Sequence, residues 1–531
     1  MKKLIPIVAV LVLSGCRPGD QAASTPEAPD LSDVLTRAEA TDFHETSTYA
    51  DVVEMAEDLD AAGDRVHLTW WGTTTEGREL PLLVVGADGA TPEDVLATGK
   101  LRVYLQGNIH GGEVPGKEAL LMLVRDWIQG AYPDWTEELV LLIAPIYNAD
   151  GNERVALTNR PRQHGPLGGM GQRPNAQGLD LNRDHMKLGS PEAQALVGML
   201  NAYDPHLGVD LHTTNGTRHG YHLTYAPSLH PDTHEGLNTL LREELFPAVT
   251  AAIEQEHGWH YYFYGNAYGD PVAWRTFDHR PRFNNNYVGL RNRVAILSEA
   301  YSYLTFEDRV FSTLYFVEEI LDYANGHSAE IRAAVETADA TSVVGETLST
   351  RSVPERSAEP VTILMGQAEE LQHPESGEPI LLRQDTLIPT QMYEFGTFQA
   401  QETEVAPAAY LVPPDLTEVI ERIHLHGIET FTLEDGRGVA GEAFFVDSTR
   451  AAEEPFQQRN ERRVWGEYRP VERSVEPGTV VVPVDQPLGR LAFHLLEPNA
   501  DDGFTNWAYL DPWIEAGEWH PVWRTREPVA R

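Results

Sequence analysis

The chain has little cysteine, lysine or positive charge. Cys16 is the only cysteine among 531 residues, so no disulfide can close within the chain. Lysine occurs five times, at Lys2, Lys3, Lys100, Lys117 and Lys187, and the other 35 of the 40 basic residues are arginines. Against them stand 81 Asp and Glu, giving a formal charge of −41. So acidic a chain argues against nucleic acid as a partner, and against an anionic membrane held by charge. It suits a surface solvated at high ionic strength, where self-repulsion is screened. Beyond the first sixteen residues no apolar run approaches the roughly 20 residues that span a bilayer. At 41% hydrophobic residues the chain can bury a large core, and its length implies two or more domains.

What is present is a set of metal-binding and proton-moving residues at strand ends. His110 and Glu113 lie in Gln106-Gly107-Asn108-Ile109-His110-Gly111-Gly112-Glu113, directly after the apolar run Leu101-Arg102-Val103-Tyr104-Leu105. That places two zinc-ligand types in a glycine-rich turn at the carboxyl end of a strand, the edge where open α/β sheets bind ligands. A hydrolytic zinc usually takes three protein ligands and keeps one position for water. The run His206 to Leu211 ends in His212, and the run Arg293 to Ser298 ends in Glu299. Both read as buried strands that stop at a functional group. A lone His-x-x-Glu is common by chance, but three such strand ends in this order point to one zinc ion. His164, His185, His219, His222, His230, His234, His257, His260 and His279 form no comparable set and read mostly as surface or lining residues.

From His110 to Glu299 these residues resemble the zinc carboxypeptidases, the carboxypeptidase A-like metallopeptidases, over roughly residues 50 to 325. The resemblance implies His110, Glu113 and His212 as ligands of one zinc ion and Glu299 as the catalytic general base and acid. Leu179-Asp180-Leu181-Asn182-Arg183-Asp184 resembles the family's Asn-Arg pair, which implies that Asn182 and Arg183 grip a substrate's terminal carboxylate. Asn148-Ala149-Asp150-Gly151 resembles its Asn-Pro-Asp-Gly turn. The family's oxyanion-stabilising Arg falls between these segments. Arg160 and Arg162 are its candidates, and Asn159-Arg160 is the closer local match. The implied activity is hydrolysis of C-terminal peptide bonds, on a peptide or peptide-like substrate with a free carboxylate. Glu299 would take a proton from a zinc-acidified water and return it to the leaving amine.

The pattern departs from the family at two places. The mobile-loop Tyr has no matching local motif, although Tyr261, Tyr262, Tyr264, Tyr268 and Tyr287 fall in the window. The specificity pocket also has no signature, although Asp278, Arg280, Arg282 and Asn284 to Asn286 lie near its expected place. Two other readings therefore stand beside the carboxypeptidase. One is a zinc amidohydrolase acting on N-acyl amino acids or peptidoglycan peptides. The other is a non-catalytic surface binding protein on the same fold.

The N-terminus reads as an export signal. Met1-Lys2-Lys3 is basic, Leu4 to Val12 is apolar, and Leu13-Ser14-Gly15-Cys16 resembles the lipobox of bacterial lipoproteins. That implies a signal peptide over 1–15 and lipidation at Cys16. The expected location is the bacterial cell envelope, at the outer membrane or periplasmic face, with the lipid as the only membrane contact. Residues 16–42 would form the lipidated N-terminus and a flexible tether rich in Pro, Ala, Asp and Glu.

Helical and strand patterns alternate over 43–330. The expected fold is α/β, a mixed, largely parallel sheet flanked by helices, as in zinc carboxypeptidases. Residues 331–356 read as a linker and 357–531 as a β-rich α+β accessory region with one clear helix, Asp415 to His424. That region has no internal repeat and no catalytic motif. Its Trp-rich tail (Trp507, Trp513, Trp519, Trp523) is expected to pack against the preceding domain.

Overall fold

A computed structural model describes residues 30–530 with the exception of Asn215. Cys16 and the signal-like segment 1–15 lie outside the described residues. Among the described residues no helix is long and apolar enough to cross a membrane.

Eight strands form the central sheet: β1 (Val66–Thr73), β2 (Glu79–Val85), β3 (Leu101–Gly107), β4 (Leu139–Ala144), β5 (Leu207–Thr213), β6 (Leu223–Ala226), β7 (Tyr261–Phe263) and β8 (Val294–Ala300). Their order is β1-β2-β4-β3-β5-β8-β6-β7. The pairs β3–β4, β3–β5, β5–β8 and β6–β7 are parallel, and the other three are antiparallel. Every residue of β3, β4 and β5 is buried, as unbroken apolar strands covered on both faces require. Helix Pro115–Ile128 follows β3 and packs against Tyr49–Ala62 and Phe306–Gly326. Pro191–Tyr203, which packs on β1, leads into β5.

Residues 331–356 are not a linker. Helix Ser328–Ala340 buries Ile331, Val335 and Ala338, one stripe at helical spacing. Strand Thr347–Glu355 then pairs antiparallel with Thr397–Val405. Beyond this lie a ribbon of Val361–Gln372 with Pro379–Met392 and a six-stranded sheet. That sheet includes the paired strands Arg437–Ala451 and Arg462–Val475, which the sequence reading did not find. Many of their side chains are exposed, so the apolar alternation that marks a half-buried strand is weak. The region has two main helices rather than one: Thr417–Leu425 and Gly489–Leu496.

The C-terminal region shares one apolar core with the α/β domain. Trp507 is fully buried, with the Arg282 guanidinium 4.6 Å from its ring centre. The Arg282 backbone N–H and Nε donate to Asp502 at 2.8 and 2.6 Å. The Tyr509 hydroxyl donates to Lys187 O at 2.6 Å. Trp513 remains 39% exposed, so the expectation of a packed aromatic tail holds for Trp507 and fails there.

Candidate active site

β3 ends at Gly107, and Asn108 turns the chain with φ of +62°. Gly111 and Gly112 then pass so close to other backbone that a Cβ would lie 2.3 Å from Gly151 C and 2.4 Å from Gly171 O. Only glycine fits there. The Asn148–Gly151 turn supports the same loop, since Asn148 Nδ2 donates to Ile109 O and to Arg173 O at 3.2 and 3.1 Å. Pro115, at the first turn of the next helix, fixes the exit.

This turn brings His110, Glu113 and His212 together, with one ligand atom from each within 4.8 Å of the others. His110 Nδ1 lies 2.9 Å from Glu113 Oε1, and His212 Nδ1 lies 2.8 Å from Glu113 Oε2. All three are buried. The outward ring nitrogens meet carboxylates: His110 Nε2 is 3.0 Å from Asp180 Oδ1, and His212 Nε2 is 2.8 Å from Asp210 Oδ2. Such outer carboxylates fix the tautomer that leaves the inner nitrogen free for metal. His110 Nδ1 is buried without a hydrogen bond, as a ligand atom aimed at a shared point should be. The donor set and its burial fit one zinc ion.

Glu299 lies beside His212 in the parallel register of β5 and β8. Burial pushes its carboxyl up to about 8; Glu113 adds to this, while His212 and Arg160 oppose it. Burial alone would also raise Glu113, but Arg160 and His110 hold it well below the usual carboxylate range. Asp180 is likewise lowered, because His110, Arg173 and Arg183 outweigh its desolvation.

A cavity of about 470 Å³ opens over this cluster. Its wall includes Asn182, Arg183, Phe283 and Tyr264. Arg183 stacks on Phe283 at 3.8 Å and donates to Asn182 O at 2.7 Å. Asn182 Oδ1 accepts from the Asn284 backbone N–H at 2.8 Å. Asn182 and Arg183 are therefore held by stacking and by backbone. Of the candidate tyrosines, Tyr264 reaches the cavity. Tyr262 instead stacks on Tyr221, and Tyr261 donates to Ser312 O.

Arg160 and Arg162 are placed differently from each other. Arg160 pairs with Glu113, and both arginines line an adjoining cavity of about 640 Å³. Arg173 lines both cavities, 3.7 Å from Glu113 and 2.8 Å from Asp180. The sequence reading missed Arg173, Asp180, Asp210 and Gln457. Asp180 was visible inside the Asn-Arg motif, and Asp210 shares a strand face with His212, two residues away. Gln457 gave no signal: it reaches the cavity from the C-terminal region and accepts the Asp180 backbone N–H at 2.8 Å.

Fold and site together define a zinc hydrolase. Residues 52–279 match the family described as zinc carboxypeptidase; Glu299 lies beyond the matched residues. The chain is 24% identical to Carboxypeptidase 2 of Trichophyton rubrum over 476 residues, covering 85% of this chain and 81% of that protein. It is 39% identical to Carboxypeptidase E of Caenorhabditis elegans over 125 residues, covering 22% and 25%. Among solved structures, carboxypeptidase A from Helicoverpa armigera aligns at TM-score 0.41 and 15% identity, over 56% of this chain and 80% of that one. A metallo-carboxypeptidase from Pseudomonas aeruginosa aligns at 0.38 and 18%, over 54% and 69%. Residues 52–279 carry a zinc carboxypeptidase domain, of a family that uses one zinc ion, and the relatives support a metallocarboxypeptidase hydrolase.

Proposed function

We propose that this enzyme removes residues one at a time from the free C-terminus of peptides. The observation that carries the reading is that one cavity is lined both by His110, Glu113, His212 and Glu299 and by Asn182 and Arg183. Arg183 receives the terminal carboxylate as a bidentate pair, and Asn182 supports it. His110, Glu113 and His212 would hold a zinc ion, which would supply Lewis acidity and a water of lowered pKa. Glu299 takes the proton from the attacking water and delivers it to the leaving amine. Arg173 and Arg160 meet the developing negative charge on the carbonyl oxygen. Tyr264 bounds the space for the departing residue. The C-terminal region completes the wall through Phe456 and Gln457.

We propose further that the chain is exported and that Cys16 anchors it by lipid, on the strength of Leu13-Ser14-Gly15-Cys16. Lipid labelling that disappears in Cys16→Ser supports the anchor; labelling unchanged in the variant refutes it.

The test of activity follows a peptide panel by mass spectrometry, with zinc-stripped protein and Glu299→Gln as controls. Ladders shortened from the C-terminus, absent in both controls, support the reading. Intact peptides alongside hydrolysed N-acyl amino acids or cell-wall peptides would replace it with the amidohydrolase.

A further inference from the structure

A second cluster lies at the seam between the two regions. His230 and Asp232 occupy the connection between β6 and the helical stretch starting at Glu235, while His494 sits on helix Gly489–Leu496. The sequence reading left His230 among the surface or lining residues, yet it is 3% exposed and His494 is 1% exposed. One ligand atom from each of the three residues lies within 4.8 Å of the others. The two rings stand nearly edge to face, 4.4 Å between centres.

One detail matches the triplet of His110, Glu113 and His212. His494 Nε2 lies 3.0 Å from Asp232 Oδ2, yet it makes no hydrogen bond there or elsewhere. His110 Nδ1 has the same relation to Glu113: close to the oxygen and unbonded. A protonated imidazole paired with a carboxylate would turn its N–H onto the oxygen. Two groups that instead converge on a common point approach each other off that line, as metal ligands do. Asp232 is held in this pose by the Ser349 backbone N–H, 3.1 and 2.9 Å from its two oxygens. His230 Nδ1 stands 4.0 Å from the same Oδ2 and accepts a long bond from Asp232 N at 3.2 Å, which ligation through Nδ1 would replace.

We propose that His230, Asp232 and His494 bind a second, structural divalent ion that fastens the C-terminal region to the catalytic domain. Two imidazoles and one carboxylate suit zinc or a neighbouring first-row ion, with water as the fourth ligand. The ion plays no part in hydrolysis.

The experiment is a metal count by mass spectrometry on the full chain, equilibrated with zinc and freed of excess metal. The wild type should hold two ions per chain. His494→Gln should hold one, keep peptide hydrolysis within about twofold, and melt at a lower temperature. His110→Ala/His212→Ala should also hold one, without activity. Asp232→Asn provides the same readout if His494→Gln does not fold. One ion in the wild type, or two in folded His494→Gln or Asp232→Asn, would overturn the proposal.

Discussion

Glu299 stands opposite His212 in the parallel register of two adjacent strands. Neighbouring strands lie about 4.8 Å apart, so register alone puts the proposed proton-moving carboxyl beside a candidate metal ligand. Glu299→Gln keeps the shape and removes the base. It should lower kcat by about 10²–10⁴ with zinc content unchanged, checked by steady-state rates alongside metal analysis. Loss of zinc in the variant would instead make Glu299 part of the metal site.

Arg183→Lys should weaken recognition of the terminal carboxylate, because an ammonium cannot copy the guanidinium fork or its stacking on Phe283. A loss of about tenfold to a hundredfold in kcat/KM is expected for free peptides. Comparison with the matching amidated peptides checks it: the preference for the free form should shrink.

Asp180→Asn and Asp210→Asn test the outer carboxylates. Each should raise the zinc dissociation constant about 10- to 100-fold, read by competition with a chromophoric chelator. An unchanged affinity would mean that His110 and His212 are oriented by the loop alone.

The two arginines near Glu113 should separate by function. Arg173 faces the cavity, so Arg173→Ala should reduce kcat and leave zinc bound. Arg160 neutralises Glu113, so Arg160→Ala should perturb zinc affinity as well. Parallel metal titrations and single-turnover rates distinguish the two.

Glu497, buried in the C-terminal region, predicts a pH effect on stability. Desolvation pushes it up to about 6 from an ordinary 4.5, against the pull of Arg524 and two tyrosines. A raised folded pKa stabilises fully below about pH 4.5, and the benefit is lost as pH rises through 6. The difference corresponds to about 2 kcal/mol. Urea unfolding at pH 4.5 and pH 7 should show Glu497→Gln gaining on the wild type by that amount at the higher pH.

The legible parts of this chain were those where one residue type suffices. Buried strands such as Val103 to Leu105 announce themselves by unbroken apolar runs, and a strand end followed by His110 and Glu113 needs no partner to be noticed. Most of the central sheet and the converging residues His110, Glu113 and His212 could be read this way. What stayed hidden depends on distant chain segments. Arg173 enters the site through a Gly-rich loop whose path no periodicity records. Gln457 comes from nearly three hundred residues away, and His494 joins His230 only after the two regions dock. Residues 331–356 misled because composition suggested a linker, while Ile331, Val335 and Ala338 carried the helix stripe.

The most direct test presents one peptide in two forms, free acid and C-terminal amide, to the zinc-loaded protein at equal concentration. Stepwise loss of residues from the acid, with the amide untouched, is the predicted result. Equal cleavage of both forms, or release from the amide alone, would contradict the assignment of Asn182 and Arg183 and with it the carboxypeptidase account.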